Sequence, residues 1–116
     1  MKIALVGLFL AIAYGNSAVF AADCGEVPHK LPFVPSGETA GEEGIRVARN
    51  AVVKFSTAVD NYLTCMDARA TRILPYLTKE QKVRWDEDLA DLHDKRRDLQ
   101  NEMNLAIRSY RNANND

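Results

Sequence analysis

Aromatic residues are scarce in this sequence, at 8% of 116 residues, and histidine and cysteine occur twice each. The two histidines show no zinc-ligand spacing, so the sequence offers no zinc site. The length limits the chain to one small domain and excludes a multidomain enzyme. The formal charge of −1 creates no strong positive field, and we therefore expect no nucleic-acid partner.

Catalytic signatures are also lacking. Ser36, Ser56 and Ser109 have no accompanying base at a recognisable spacing, so none of them is predicted to be a nucleophile. We therefore expect no enzymatic activity and no cofactor. Four carboxylates recur every three or four residues in the C-terminal third: Glu87, Asp91, Asp94 and Asp98. Such a row can collect Ca²⁺ weakly, but a rigid helix cannot wrap its oxygens around one ion, so we predict a solvated face and no metal.

What is present begins with a leader. Lys2 precedes an apolar run from Ile3 to Tyr14, and Val19 and Ala21 occupy the −3 and −1 positions of a signal peptidase site. We predict a signal peptide over residues 1–21, cleaved after Ala21, and a periplasmic or secreted protein. The alternatives are an uncleaved anchor, for which the run is short of the roughly 20 residues that span a bilayer, and a lipoprotein. After cleavage we expect no stable membrane insertion.

Both cysteines, Cys24 and Cys65, remain after cleavage. In an oxidising compartment an intramolecular disulfide is their simplest pairing, and a disulfide-linked dimer or two free thiols are the alternatives. Residues 22–38 contain three closely spaced prolines, Pro28, Pro32 and Pro35, which prevent a helix or a central strand. We predict an extended arm that packs on its own protein, although proline-rich arms also dock on other domains.

Two amphipathic helices should follow, within residues 39–113. Thr39 and Glu42 form a capping-box pattern that predicts a first helix over about residues 40–74, which ends at Pro75. Thr78 and Gln81 repeat the pattern for a second helix over about residues 79–111, after which the tail should fray. Each helix carries apolar residues at alternating steps of three and four. They are Ile45, Ala48, Val52, Phe55, Val59, Tyr62, Met66 and Ile73 in the first, and Trp85, Leu89, Leu92, Leu99, Met103, Ala106 and Tyr110 in the second.

The short break between the helices predicts an antiparallel two-helix hairpin that packs like a coiled coil, an all-α fold. In this register Trp85 should meet Met66 or Ala70, and Leu99 should approach Phe55. An arm of this length, running antiparallel to the first helix, brings Cys24 beside Cys65.

Arg96 is the polar residue in the predicted seam. A guanidinium there needs a carboxylate or must reach out to solvent along its stem, and Asp60 is the nearest candidate partner. We interpret the pair as setting the helix register, and the alternative is an arginine that binds an anion.

Longer segments carry a resemblance. The leader is followed by the strings D-C-G-E-V-P, P-S-G-E-T-A, Y-L-T-C and N-L-A-I-R-S-Y. With these features the chain resembles, over most of residues 23–110, a group of uncharacterised small secreted or periplasmic proteobacterial proteins. This resemblance implies an exported location and a hairpin architecture. The string L-T-K-E-Q at residues 77–81 is similar to the L-T-x-x-Q motif of Spy-type periplasmic chaperones, and that likeness implies binding of unfolded clients.

We therefore expect an exported, non-enzymatic hairpin that acts by protein–protein interaction or self-association in the cell envelope, either as a homodimer or with an envelope protein. Val47, Val53 and Leu63 lie off the main stripe, where a second hairpin or the arm would cover them. A periplasmic stress chaperone is the alternative function.

Overall fold

The computed structural model describes residues 24–115, so the predicted signal peptide lies outside the described residues. Helix α1 spans Glu42–Ile73 and helix α2 spans Lys79–Asn114, and a short 3₁₀ helix, Leu74–Tyr76, lies between them. The two long helices pack together, and no strand occurs within residues 24–115. The predicted antiparallel hairpin with a disulfide-tethered arm is confirmed.

Helix α1 begins two residues later than predicted, and the proposed Thr39 cap is wrong. Its N-cap is Gly41, which has no side chain that could cap the helix. The backbone N–H groups of Thr39 and Ala40 both donate to the Ser36 carbonyl, at 3.3 and 2.9 Å. The chain therefore closes a turn at these residues before it enters the helix. Glu42 and Glu43 lie in the first turn of α1, where the positive end of the helix dipole favours negative charge.

The connection and the start of α2 follow local rules. Pro75 lies in the first turn of the 3₁₀ helix, where its missing N–H costs nothing. Thr78 caps α2 in a capping box: its hydroxyl accepts from the Gln81 N–H, and the Gln81 side chain accepts from the Thr78 N–H. The helix continues to Asn114, three residues beyond the predicted end at 111. Asn114 Nδ2 donates to the Tyr110 carbonyl at 2.8 Å in this last turn.

The core is a single apolar seam between the helices. Its buried members are Ile45, Ala48, Val52, Phe55, Val59 and Leu63 from α1 with Leu92, Leu99, Met103 and Ala106 from α2. Leu63 corrects the prediction, because it is buried rather than off the stripe, while Tyr62 is half-buried. A straight α-helix drifts by about 20° per heptad from a 3.5-residue repeat, which turns Leu63 into the seam after two heptads.

Polar contacts across the seam fix the register. Arg96 Nη1 donates to Asp60 Oδ1, and Gln100 Nε2 donates to Ser56 Oγ at 3.4 Å one turn further along. Trp85 lines one cavity together with Met66, as the predicted register requires.

Candidate interaction surface

A disulfide ties the start of the arm to the C-terminal third of α1. Cys24 and Cys65 are bonded, with their Cα atoms 5.5 Å apart, so the predicted intramolecular pairing is confirmed. No free cysteine is found within residues 24–115. Because Cys65 lies at the edge of the apolar stripe, the bond fixes the arm beside the groove between the helices.

The arm, residues 24–37, runs antiparallel to α1. Pro28 and Lys30 line one cavity with Lys54 and Ala58, whereas Pro35 lines a second with Gly44 and Val47. Val34 packs against the core. The arm therefore packs on its own protein, as the sequence predicts.

Two cavities of about 560 and 600 Å³ lie between the arm and α1, and Pro32 and Ala51 line both of them. We call this continuous depression the arm groove. It is mainly apolar, and charged residues of both signs lie along it, with Glu26, Lys30 and Lys54 towards the disulfide and Glu43 at the opposite end.

Large apolar side chains stay exposed along the arm groove. Phe33 is 83% exposed and Val47 is 54% exposed, and both line its wider cavity. Among the apolar arm residues Leu31, Phe33 and Val34, only Val34 packs against the core. The reason is geometric, because neighbouring side chains of an extended segment point in different directions and cannot all face the helices. An exposed apolar patch of this kind is typical of an interaction site.

Gly37 brings the end of the arm onto α2. A Cβ atom at this position would overlap the Ala106 carbonyl oxygen and lie 2.8 Å from the Tyr110 nitrogen. Both are backbone atoms of a regular helix and cannot move aside. Glycine is therefore required for the close approach, and sequence reasoning missed this role because the P-S-G string indicates a turn without showing what the turn contacts.

The polar seam contains the predicted pair. The Arg96 side chain is 22% exposed and Asp60 is 65% exposed, so the guanidinium extends from the seam to a carboxylate in contact with solvent. Arg96 Nη2 also lies 3.4 Å from His93 Nδ1. Both contacts join Arg96 to its own protein, in agreement with the register-setting interpretation.

The acidic row on α2 is a solvated face. Lys95 Nζ lies 3.0 Å from Asp91 Oδ2, and Arg97 lies 3.2 Å from Asp94 Oδ1 and 3.7 Å from Asp98 Oδ1. Within residues 24–115 no group of three or more His, Cys, Asp or Glu side chains is placed to hold a metal ion.

The pKa values of Glu43 and Tyr62 differ from their ordinary values, for different physical reasons. The Arg46 guanidinium donates to the Glu43 carboxylate one helical turn away, which lowers the pKa of Glu43. Burial raises the pKa of Tyr62; the positive charge of Arg69 opposes this and the negative charge of Asp88 adds to it. The Tyr62 phenol is therefore neutral at physiological pH.

No protein family, curated protein or solved structure was found to match the chain. Within the part of the chain that the structure describes, no helix is long and apolar enough to cross a membrane.

Proposed function

We propose that the protein is exported, loses residues 1–21, and acts without catalysis by pairing with a second copy of itself through the arm groove. The observation that carries the proposal is the exposed apolar surface formed by Phe33 and Val47 beside an open groove. Export is supported by the leader sequence and by the disulfide, which persists in oxidising compartments.

A second copy is favoured by the charges along α1. Glu43 and Lys54 lie at opposite ends of the arm groove, about 16 Å apart along the helix axis. A two-fold axis at the level of Val47 and Ala51 would place Lys54 of each copy opposite Glu43 of the other, whose carboxylate already accepts from Arg46 of its own helix. Such a surface is self-complementary, as an isologous interface requires, and it produces a four-helix assembly.

Sedimentation velocity of the purified, disulfide-intact protein tests the pairing. Wild-type protein is expected to shift from monomer to dimer as its concentration rises, and Val47→Asp is expected to remain monomeric. Val53→Asp is the matched control. Val53 is 57% exposed on the same helix, but it lines a different cavity, between α1 and α2, and not the arm groove. A wild-type protein that is monomeric at every concentration, or equal dissociation by both variants, would exclude the second copy.

Export is tested separately. After fractionation of cells, the protein is expected in the periplasm or the medium, with an N-terminus at Ala22. A cytoplasmic protein that retains Lys2 would contradict export without bearing on the pairing.

The alternative occupant is an unfolded client, and it requires the same apolar surface. The L-T-x-x-Q string at Leu77 has a local explanation here, since its Thr78 and Gln81 form the capping box of α2. A client-aggregation assay separates the two functions. Suppression of aggregation by wild type and Val53→Asp but not by Val47→Asp would assign the groove to clients, and the absence of suppression would remove the chaperone.

A further inference from the structure

A small cavity lies where the arm meets both helices near the loop end of the hairpin. Its volume is about 220 Å³, and it shares one lining residue, Val27, with the narrower cavity of the arm groove. Val27 of the arm, Tyr62 and Met66 of α1, and Trp85 and Leu89 of α2 all line it. Three segments that are distant in sequence thus enclose one space.

The walls combine aromatic rings with negative charge. Besides Tyr62 and Trp85, the lining includes the carboxylates Asp88 and Asp91, and it includes no lysine or arginine. Asp91 is paired through one oxygen with Lys95, and Asp88 has no ion pair within the described residues. Aromatic faces attract cations through the ring quadrupole, and a nearby carboxylate strengthens this attraction.

The apolar walls select the kind of cation. A hard metal ion requires several oxygen ligands, whereas Val27, Met66 and Leu89 provide hydrocarbon surface. An ammonium ion that carries methyl groups has both a positive charge and an apolar exterior. The volume lies below the roughly 300–1,000 Å³ of pockets for drug-sized ligands, and therefore suits a compact ion.

We propose that this cavity binds a small methylated ammonium ion between Tyr62 and Trp85, with Asp88 as its counter-charge. Two charges act on the Tyr62 phenol: the Arg69 guanidinium lowers its pKa, and Asp88 raises it by a smaller amount. Arg69 does not line the cavity, whereas Asp88 does. The site shares no lining residue with the wider cavity beside Val47 and only Val27 with the narrower cavity of the arm groove, so its aromatic and charged residues lie outside the surface proposed for pairing.

The arm completes the site. Val27 lies three residues after Cys24, so the disulfide to Cys65 holds it against the two helices. A protein whose arm is released is expected to lose one wall of the cavity. Binding should therefore require the disulfide even though every charged and aromatic group of the site lies on the hairpin.

Trp85 is the single tryptophan of the chain, so its fluorescence reports directly on the cavity. Titration with choline at constant ionic strength is expected to change the emission saturably, with a dissociation constant on the order of 1 mM. The neutral isostere 3,3-dimethylbutan-1-ol has the same shape without the charge, and it should bind about tenfold more weakly or not at all.

Two variants locate the charge. Asp88→Asn keeps the shape of the side chain and should weaken choline binding about tenfold. Asp98→Asn removes a carboxylate from the same helix outside the cavity, and it should leave the affinity unchanged. Circular dichroism verifies that both variants retain the helices. The double variant Cys24→Ser with Cys65→Ser should lose binding while the hairpin remains.

Three results would overturn the site: no saturable change in Trp85 emission, equal binding of choline and its neutral isostere, or equal weakening by Asp88→Asn and Asp98→Asn. A positive result leaves two sources of the ion. Cosedimentation with phosphatidylcholine vesicles but not with phosphatidylglycerol vesicles would assign a lipid headgroup, whereas choline binding without cosedimentation would assign a free solute.

Discussion

At the scale of single residues, two glycines near the start of the hairpin are expected to respond oppositely to the same substitution. Gly37→Ala should destabilise the protein by about 1–3 kcal/mol, because its Cβ would overlap the Ala106 carbonyl. Gly44→Ala should stabilise it by about 0.5–1 kcal/mol, because the new Cβ meets only Ala40 at 3.6 Å and the unfolded chain loses entropy. Urea unfolding of both variants measures the difference, and an equal response would contradict the close approach at Gly37.

The phenol of Tyr62 predicts a loss of stability at alkaline pH. Burial raises the pKa of Tyr62 in the folded protein above its ordinary value of 10.0, so the folded state holds this proton more tightly than the unfolded chain does. The protonated Tyr62 phenol contributes fully to the free energy of unfolding below pH 10. This contribution is lost as the pH rises through the folded pKa. Tyr62→Phe should remove this part of the slope.

Urea unfolding from pH about 9 to about 11.5 spans that range and measures the slope. Tyr76→Phe is the control, since Tyr76 is 86% exposed. Identical alkaline slopes for wild type and Tyr62→Phe would disprove the assignment.

At the scale of the helices, the two capping-box patterns differ in use. Thr78→Ala should cost about 1 kcal/mol because the hydroxyl accepts from the Gln81 N–H. Thr39→Ala should change stability by less than about 0.5 kcal/mol, because Thr39 makes no side-chain cap and α1 begins after Gly41. Thermal unfolding compares the two, and a larger loss from Thr39→Ala would restore the original cap.

The same pair shows how far the sequence determines the elements. The Thr78 cap was predictable because both of its hydrogen bonds are local, between Thr78 and Gln81. At Thr39 the backbone N–H donates to the Ser36 carbonyl instead, and the chain forms a turn. The stripes and Pro75 located both helices, and the register followed from the short connection. Exposure of Phe33 and the contact of Gly37 were not predictable, because both depend on how the arm lies on the finished hairpin.

The sequence predicted some of the candidate sites and not others. The disulfide and the Arg96–Asp60 pair followed from cysteine count, export and register. The cavity at Trp85 was not foreseen, because Val27 reaches it only through the docked arm. Asp91 had been interpreted as part of the solvated row with Glu87, Asp94 and Asp98, and Asp88 beside Tyr62 had not been singled out at all.

At the scale of the whole molecule, we expect the disulfide to hold the arm in place and the hairpin to fold without it. Replacing Cys24 and Cys65 by serine opens a loop of sequence separation 41 and should lower stability by about 4 kcal/mol on the chain-entropy estimate. Residues 24–37 should become protease-sensitive, while the far-ultraviolet circular dichroism of the helices persists. Melting of α1 and α2 together with the arm would show that the hairpin depends on the bond.

The oxidation state itself is checked on wild-type protein. Mass spectrometry without reductant should give a monomer two hydrogens lighter than the reduced chain. A covalent dimer or the mass of the free dithiol would refute the arm architecture.

The arm is held in place without backbone hydrogen bonds. A fixed position and slow amide hydrogen exchange usually occur together, and in the arm they do not. Between Cys24 and Pro35, no main-chain N–H has a main-chain acceptor among the residues that the structure describes. These amides face water or side chains, so they should exchange with deuterium almost as fast as those of an unfolded chain, whereas the amides within α1 should exchange slowly. Hydrogen-exchange data alone would therefore suggest that the arm is disordered. Its position is nevertheless fixed by a covalent bond, by prolines and by Val34.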